Sequence, residues 1–145
     1  AKRELAASPV VGTVIRKVGH LTVERADRAR SAVDAEHATA LLRAGTSLLF
    51  FPEGTFRRPP GMLPFRLGAF KAAVEGGRPV IPIGLRGTRD ILPDGTWLPT
   101  PGPVTVALGA PIAPKGTGWQ ELVRLRDVTR VEVARLAGED IVRDR

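Results

Sequence analysis

Apolar and polar positions along the chain fall into short blocks separated by glycine and proline. Residues 9–18, PVVGTVIRKV, are apolar with a basic end and leave helix or strand open. HLTVE, 20–24, sets Leu21 and Val23 against polar neighbours, the alternation of a short strand. Over 28–44, Val33, His37, Ala40, Leu41 and Ala44 fall near helical spacing, and Gly45 stands where a helix-stopping glycine is expected. TSLLFF, 46–51, is a continuous apolar run of strand length, the pattern of a strand buried on both faces. A second helix is predicted over 65–75, ended by Gly76 and Gly77, and a second apolar strand over 79–87, with prolines that mark an edge or an end. Residues 90–103 read as a turn-rich hairpin or excursion, 104–109 as a strand, and 118–137 as a closing amphipathic helix. That last helix offers Trp119, Leu122, Val123, Val128 and Val131 to the core.

Strands alternating with helices, two of the strands uniformly apolar, predict an α/β domain. Its central sheet is expected to be mixed and largely parallel, flanked by helices. The 145 residues suit one domain, and 43% hydrophobic with 26% charged residues is a globular composition. Cysteine is absent, which removes disulfides, a thiolate nucleophile and any cysteine-based metal site. No apolar stretch approaches the roughly 18–20 residues of a membrane span.

The charge changes the picture further. Lysine and arginine outnumber aspartate and glutamate by 22 − 15 = 7, which suits a polyanionic partner or simply a solvated surface. Nucleic acid is not expected: tyrosine is absent, aromatics are 5%, and no basic stretch alternates with stacking residues. No G-x-x-x-x-G-K-[ST] loop occurs, so a P-loop nucleotide site is excluded.

The densest chemistry follows the 46–51 run. In open α/β sheets, sites form beyond the carboxyl ends of strands, and PEGT stands there. Pro52 ends a ladder because it has no N–H. Gly54 allows close backbone approach or positive φ. Glu53 accepts hydrogen bonds, Thr55 and backbone amides donate them, and Arg57 and Arg58 bring charge suited to phosphate. A plain strand-to-loop exit is the competing reading.

These residues resemble the glycerophospholipid acyltransferase family, in particular its lysophosphatidate acyltransferase group, whose FPEGT stands intact at Phe51–Thr55. Four more stretches are similar to that family's blocks and in its order: AKREL at 1–5, GHLTVER at 19–25, PFRLGAF at 64–70 and VIPIGLRGT at 80–88. Together they reach over roughly residues 1–110. The resemblance implies a glycerol-3-phosphate acyltransferase-like fold and transfer of a fatty acyl group to the hydroxyl of a lysophosphatidate or related glycerol-phosphate acceptor. The donor would be acyl-CoA or acyl carrier protein, with no metal and no cofactor. It further implies that Glu53, Gly54 and Thr55 organise the acceptor site, and that Arg25, Lys2 and Arg57 meet the acceptor phosphate. Peripheral contact with anionic lipid at the cytoplasmic face of the cell membrane is expected as well.

The pattern is broken in two places. Phe56 stands where the family commonly has arginine, and Arg57 follows it. The family's catalytic histidine with an aspartate five positions on is absent: His20 has Arg25 at that offset and His37 has Leu42. His37 is expected to be a packed helix residue. Attack by an alcohol on a thioester needs a base, best a neutral histidine held by a carboxylate. Residues 1–145 are therefore expected to be a single acyltransferase domain without its N-terminal part, inactive by itself. The alternative is a non-catalytic module that binds phosphate or anionic lipid.

Overall fold

The computed structural model of the chain describes residues 28–55, 60–93 and 98–142, with side chains from residue 35 onward. The apolar segment 9–18 and the strand expected at 20–24 lie outside the described residues. The elements in chain order are α1 (Arg28–Arg43), α2 (Gly68–Gly76), β1 (Ile83–Arg86), the single turn α3 (Thr88–Ile91), β2 (Thr105–Leu108) and α4 (Trp119–Ala137).

Both early helices stop where the glycines predict. After α1, Thr46 N–H donates to the Leu41 carbonyl at 3.0 Å and Gly45 N–H to the Leu42 carbonyl at 3.1 Å. After α2, Arg78 N–H donates to Ala73 at 3.0 Å and Gly77 N–H to Val74 at 3.2 Å. These paired bonds satisfy carbonyls that a helix end otherwise leaves open.

The face that α1 buries differs from the predicted one. Ala38 and Thr39 are buried, whereas His37 and Ala40 are exposed. Thr39 can face α2 because its hydroxyl donates to the Ala35 carbonyl at 2.9 Å, so no polar group is left unsatisfied. His37 is thus a surface residue, not a packed one. The two helices are also tied at their ends. Arg43 donates through Nε and Nη2 to the Glu75 carbonyl at 3.3 and 2.9 Å, and Arg78 Nε donates to the Leu42 carbonyl at 3.0 Å. A cation at a helix C-terminus meets the negative end of the dipole, worth about 0.3–1 kcal/mol.

The core joins α2, α4 and the segment before α2. Met62, Phe65, Phe70, Ala73, Val74, Leu122, Leu125 and Ala134 form one buried cluster. Phe65 and Phe70 stack with ring centroids 6.2 Å apart. On α4 the buried stripe is Leu122, Leu125, Thr129 and Leu136, at helical spacing. Trp119, Val128 and Val131, expected in the core, are instead exposed at 67%, 43% and 59%. Valines 128 and 131 share a helix side that turns away from that stripe.

β1 and β2 pair antiparallel, with Ile83 opposite Leu108 and Arg86 opposite Thr105. Val80 and Ile112 extend the pairing as an antiparallel bridge. Gly84 lets α4 lie against this ribbon, because a Cβ there would come within 2.5 Å of the Leu136 backbone. Helices with a small antiparallel sheet are therefore what the described residues hold, and no large parallel sheet is among them. Residues 46–51 correct the sequence reading most sharply. They form no strand among the described residues, and Leu49, Phe50 and Phe51 are 68%, 36% and 67% exposed. An apolar run states what a strand would bury, but a ladder also needs a neighbour, and the described residues give this run none. The 90–103 excursion begins with α3, and the rest of its described length is irregular.

Candidate functional site

Residues 51–54 form a tight turn. Gly54 N–H donates to the Phe51 carbonyl at 3.0 Å, and Gly54 has φ +72°, a conformation that costs a residue with a Cβ about 1 kcal/mol or more. A side chain here would also meet Arg66, which would have to move aside. A Cβ at this position would lie 2.6 Å from Arg66 Nε and 2.9 Å from Arg66 Cδ. The Arg66 side chain therefore lies against the backbone of the turn.

The turn is held by the segment that leads into α2. Arg66 N–H donates to the Pro52 carbonyl at 2.8 Å. Leu63 N–H donates to Glu53 Oε2 at 2.9 Å. Glu53 is half-buried, and its Oε1 has no partner among the described residues. One carboxylate oxygen thus closes the loop while the other makes no bond among the described residues.

The clamp itself is anchored to the end of α4. Met62 N–H donates to the Asp140 carbonyl at 2.8 Å, and Val142 N–H to the Met62 carbonyl at 3.1 Å. Arg130 Nη2 bridges the Met62 and Val142 carbonyls at 3.1 and 2.7 Å. Glu139 accepts from Gly61 N–H and from Arg89 Nε. Met62 and Phe65 are core residues, so the partners that fix Glu53 rest on the best-packed part of the molecule.

Of the residues predicted for the site, Glu53, Gly54 and Thr55 come together in this turn, with Thr55 exposed. Lys2, Arg25 and Arg57 lie outside the described residues. Glu53 follows the 46–51 segment, which forms no strand among the described residues, and it lines neither of two shallow apolar grooves on the molecule. One groove runs between Ala110–Ile112 and Val128 and Val131 of α4. The other lies between α2 and Trp119.

Arg66 stands within PFRLGAF, where nothing in the sequence sets it apart from the other arginines. What marks this residue is the absence of a partner among the described residues. Each other arginine whose side chain is described, from Arg43 to Arg135, donates to a carbonyl or a carboxylate. Arg66 is exposed, and its guanidinium bonds to no described residue.

Comparison with known proteins places this geometry. The Acyltransferase family model matches residues 1–86, which includes the Glu53 turn and its clamp. A 1-acyl-sn-glycerol-3-phosphate acyltransferase of Chlamydomonas reinhardtii is 34% identical over 127 residues, covering 87% of this chain and 37% of that protein. One from Salmonella typhimurium is 35% identical over 88 residues, covering 60% of this chain and 36% of its own length. The crystal structure of the 1-acyl-sn-glycerophosphate (LPA) acyltransferase PlsC from Thermotoga maritima superposes with a TM-score of 0.72 at 33% identity, covering 94% of this chain and 55% of that one. The chain thus spans only part of the length of each relative. With the family model matched over more than half its residues, and the Phe51–Thr55 motif set in a clamped turn, the chain belongs to the acyltransferase family.

Proposed function

We propose that the protein carrying this chain transfers a fatty acyl group from a thioester, acyl-CoA or acyl carrier protein, to the free hydroxyl of a lysophosphatidate. The observation that carries the reading is Glu53. The intact FPEGT motif places a carboxylate in a turn that uses one oxygen, Oε2, to fix its own loop, and that leaves Oε1 for a substrate hydroxyl. The names of the relatives support the same acceptor.

In this reading Glu53 orients the acceptor glycerol, Gly54 and Thr55 shape its seat, and Lys2, Arg25 and Arg57 contribute charge for its phosphate. The hydroxyl attacks the thioester carbonyl, its proton passes to a base, and the thiol leaves. The base is a histidine–aspartate pair that residues 1–145 do not contain, so the chain by itself turns nothing over. The positive balance of the chain suits anionic lipid at the cytoplasmic face of the cell membrane, where the acceptor resides.

The test is acyl transfer by the protein at full length, wild type against Glu53→Gln. Glutamine keeps an oxygen for Leu63 N–H and removes the charge. Turnover should fall about 10²–10³-fold, as for loss of a positioned polar group at a reacting centre, with the melting temperature almost unchanged. Parallel loss of stability and turnover would make Glu53 a loop fastener only. Absence of transfer by the wild type, with phosphate binding intact, would favour the binding module instead.

A further inference from the structure

We propose that Arg66 binds a phosphate group of one of the reactants at the Glu53 turn, an inference that rests on the reading above. Three observations converge on it. The first is position: Arg66 lays its Cδ and Nε against Gly54, where a Cβ would come within 2.9 and 2.6 Å of them. The second is rigidity: its backbone N–H is bound to the Pro52 carbonyl at 2.8 Å, and the neighbouring Phe65 is 5% exposed and stacked on Phe70. The third is partnership. Arg66 is the one arginine, among those with described side chains, whose guanidinium has no hydrogen-bond or ion-pair partner among the described residues.

A solvating arginine would extend into water and gain nothing from a glycine beneath it. Here the stem is laid along the backbone, which lowers the entropy lost when the head engages a ligand. A guanidinium offers paired donors that match two phosphate oxygens. Glu53 makes no ion pair with Arg66 among the described residues, so the neighbouring carboxylate does not neutralise it. A reactant spanning both groups would place its hydroxyl at Glu53 Oε1 and its phosphate at Arg66.

Phosphate occurs on the acceptor and on the carrier end of the donor, and kinetics separates the two. The experiment uses the full-length protein as wild type, Arg66→Ala, Arg66→Lys and Arg135→Ala. The last removes equal charge from a side chain that pairs with Glu132 on the outer face of α4. Binding of sn-glycerol 3-phosphate is titrated directly, and acyl transfer is measured with acceptor and donor varied separately. Arg66→Ala should weaken glycerol 3-phosphate binding about 10- to 100-fold, the usual scale for a charge-assisted pair, with unfolding unchanged. Arg66→Lys should recover part of the loss, and Arg135→Ala should match wild type. A rise in acceptor KM assigns the phosphate to the acceptor. A rise confined to donor KM assigns it to the donor.

Unchanged phosphate binding together with unchanged KM for both reactants in Arg66→Ala overturns the proposal while leaving acyl transfer intact. A protein that binds glycerol 3-phosphate through Arg66 but transfers no acyl group would overturn the proposed function and leave this inference standing.

Discussion

Arg66 and Arg86 stand on either side of the middle of the chain, and they do opposite things. Arg86 leaves β1 and donates through Nε to the Leu136 carbonyl at 2.7 Å and through Nη2 to Arg135 at 3.3 Å. It closes the C-terminal end of α4 as Arg43 and Arg78 tie α1 to α2. Arg66 has the same head and no such partner among the described residues. The difference shows that net charge is a poor guide to partners. Among the described residues, Arg43, Arg78 and Arg86 are spent on carbonyls at helix ends, whereas Arg66 stands beside Glu53 without such a partner.

The contrast can be broken first where the fold is densest. Leu125 is fully buried in α4, and Leu125→Ala should cost about 2–5 kcal/mol by chemical denaturation. Activity should then be lost only in proportion to unfolding. A stable Leu125→Ala protein would mean that the α2–α4 core is not what holds the clamp in place.

Arg86→Ala comes next. It leaves part-buried carbonyls at the end of α4 without their donor, and should cost about 1–3 kcal/mol while acceptor KM stays at the wild-type value. If KM moves instead of stability, the two arginines are not different in kind.

Gly54→Ala should show a smaller stability loss, about 1–2 kcal/mol from the positive φ alone. It should also displace the Arg66 side chain and raise KM for the same reactant as Arg66→Ala. Double substitution should then add little, since both changes remove one contact. Full additivity would separate Gly54 from Arg66.

The smallest effect concerns acid. Glu121 is hydrogen-bonded by Arg124 and by the Lys115 N–H, and these hold its carboxyl down to about 2. A carboxylate with a lowered pKa contributes stability that is present above its unfolded value and lost as pH falls through the folded one. Stability should therefore decline between about pH 4.5 and 2, and Glu121→Gln should flatten that slope. An unchanged slope would place the acid sensitivity elsewhere.

What the sequence revealed follows from the range of each signal. Helix stops at Gly45 and Gly77 are local, and both were legible. So was the motif turn, because proline and glycine act on their own backbone. Strand pairing is not local: the antiparallel partnership of 83–86 with 105–108 and the exposure of 46–51 depend on what lies beside each run. The core face of α4 was misread because valines 128 and 131 are apolar yet stand off the Leu122–Leu125–Leu136 stripe. Arg66 stayed hidden for a related reason. Sequence shows that an arginine is charged, but only packing shows that the other arginines with described side chains are already engaged.

The central claim is that the Glu53 turn seats a reactant by hydroxyl and phosphate together. A crystal structure of the full-length protein with sn-glycerol 3-phosphate tests it most directly. The account predicts a glycerol hydroxyl within hydrogen-bond distance of Glu53 Oε1 and the phosphate on the Arg66 guanidinium. A ligand bound in the groove between Ile112 and Val131, or at the Glu53 turn with its phosphate turned away from Arg66, would contradict it.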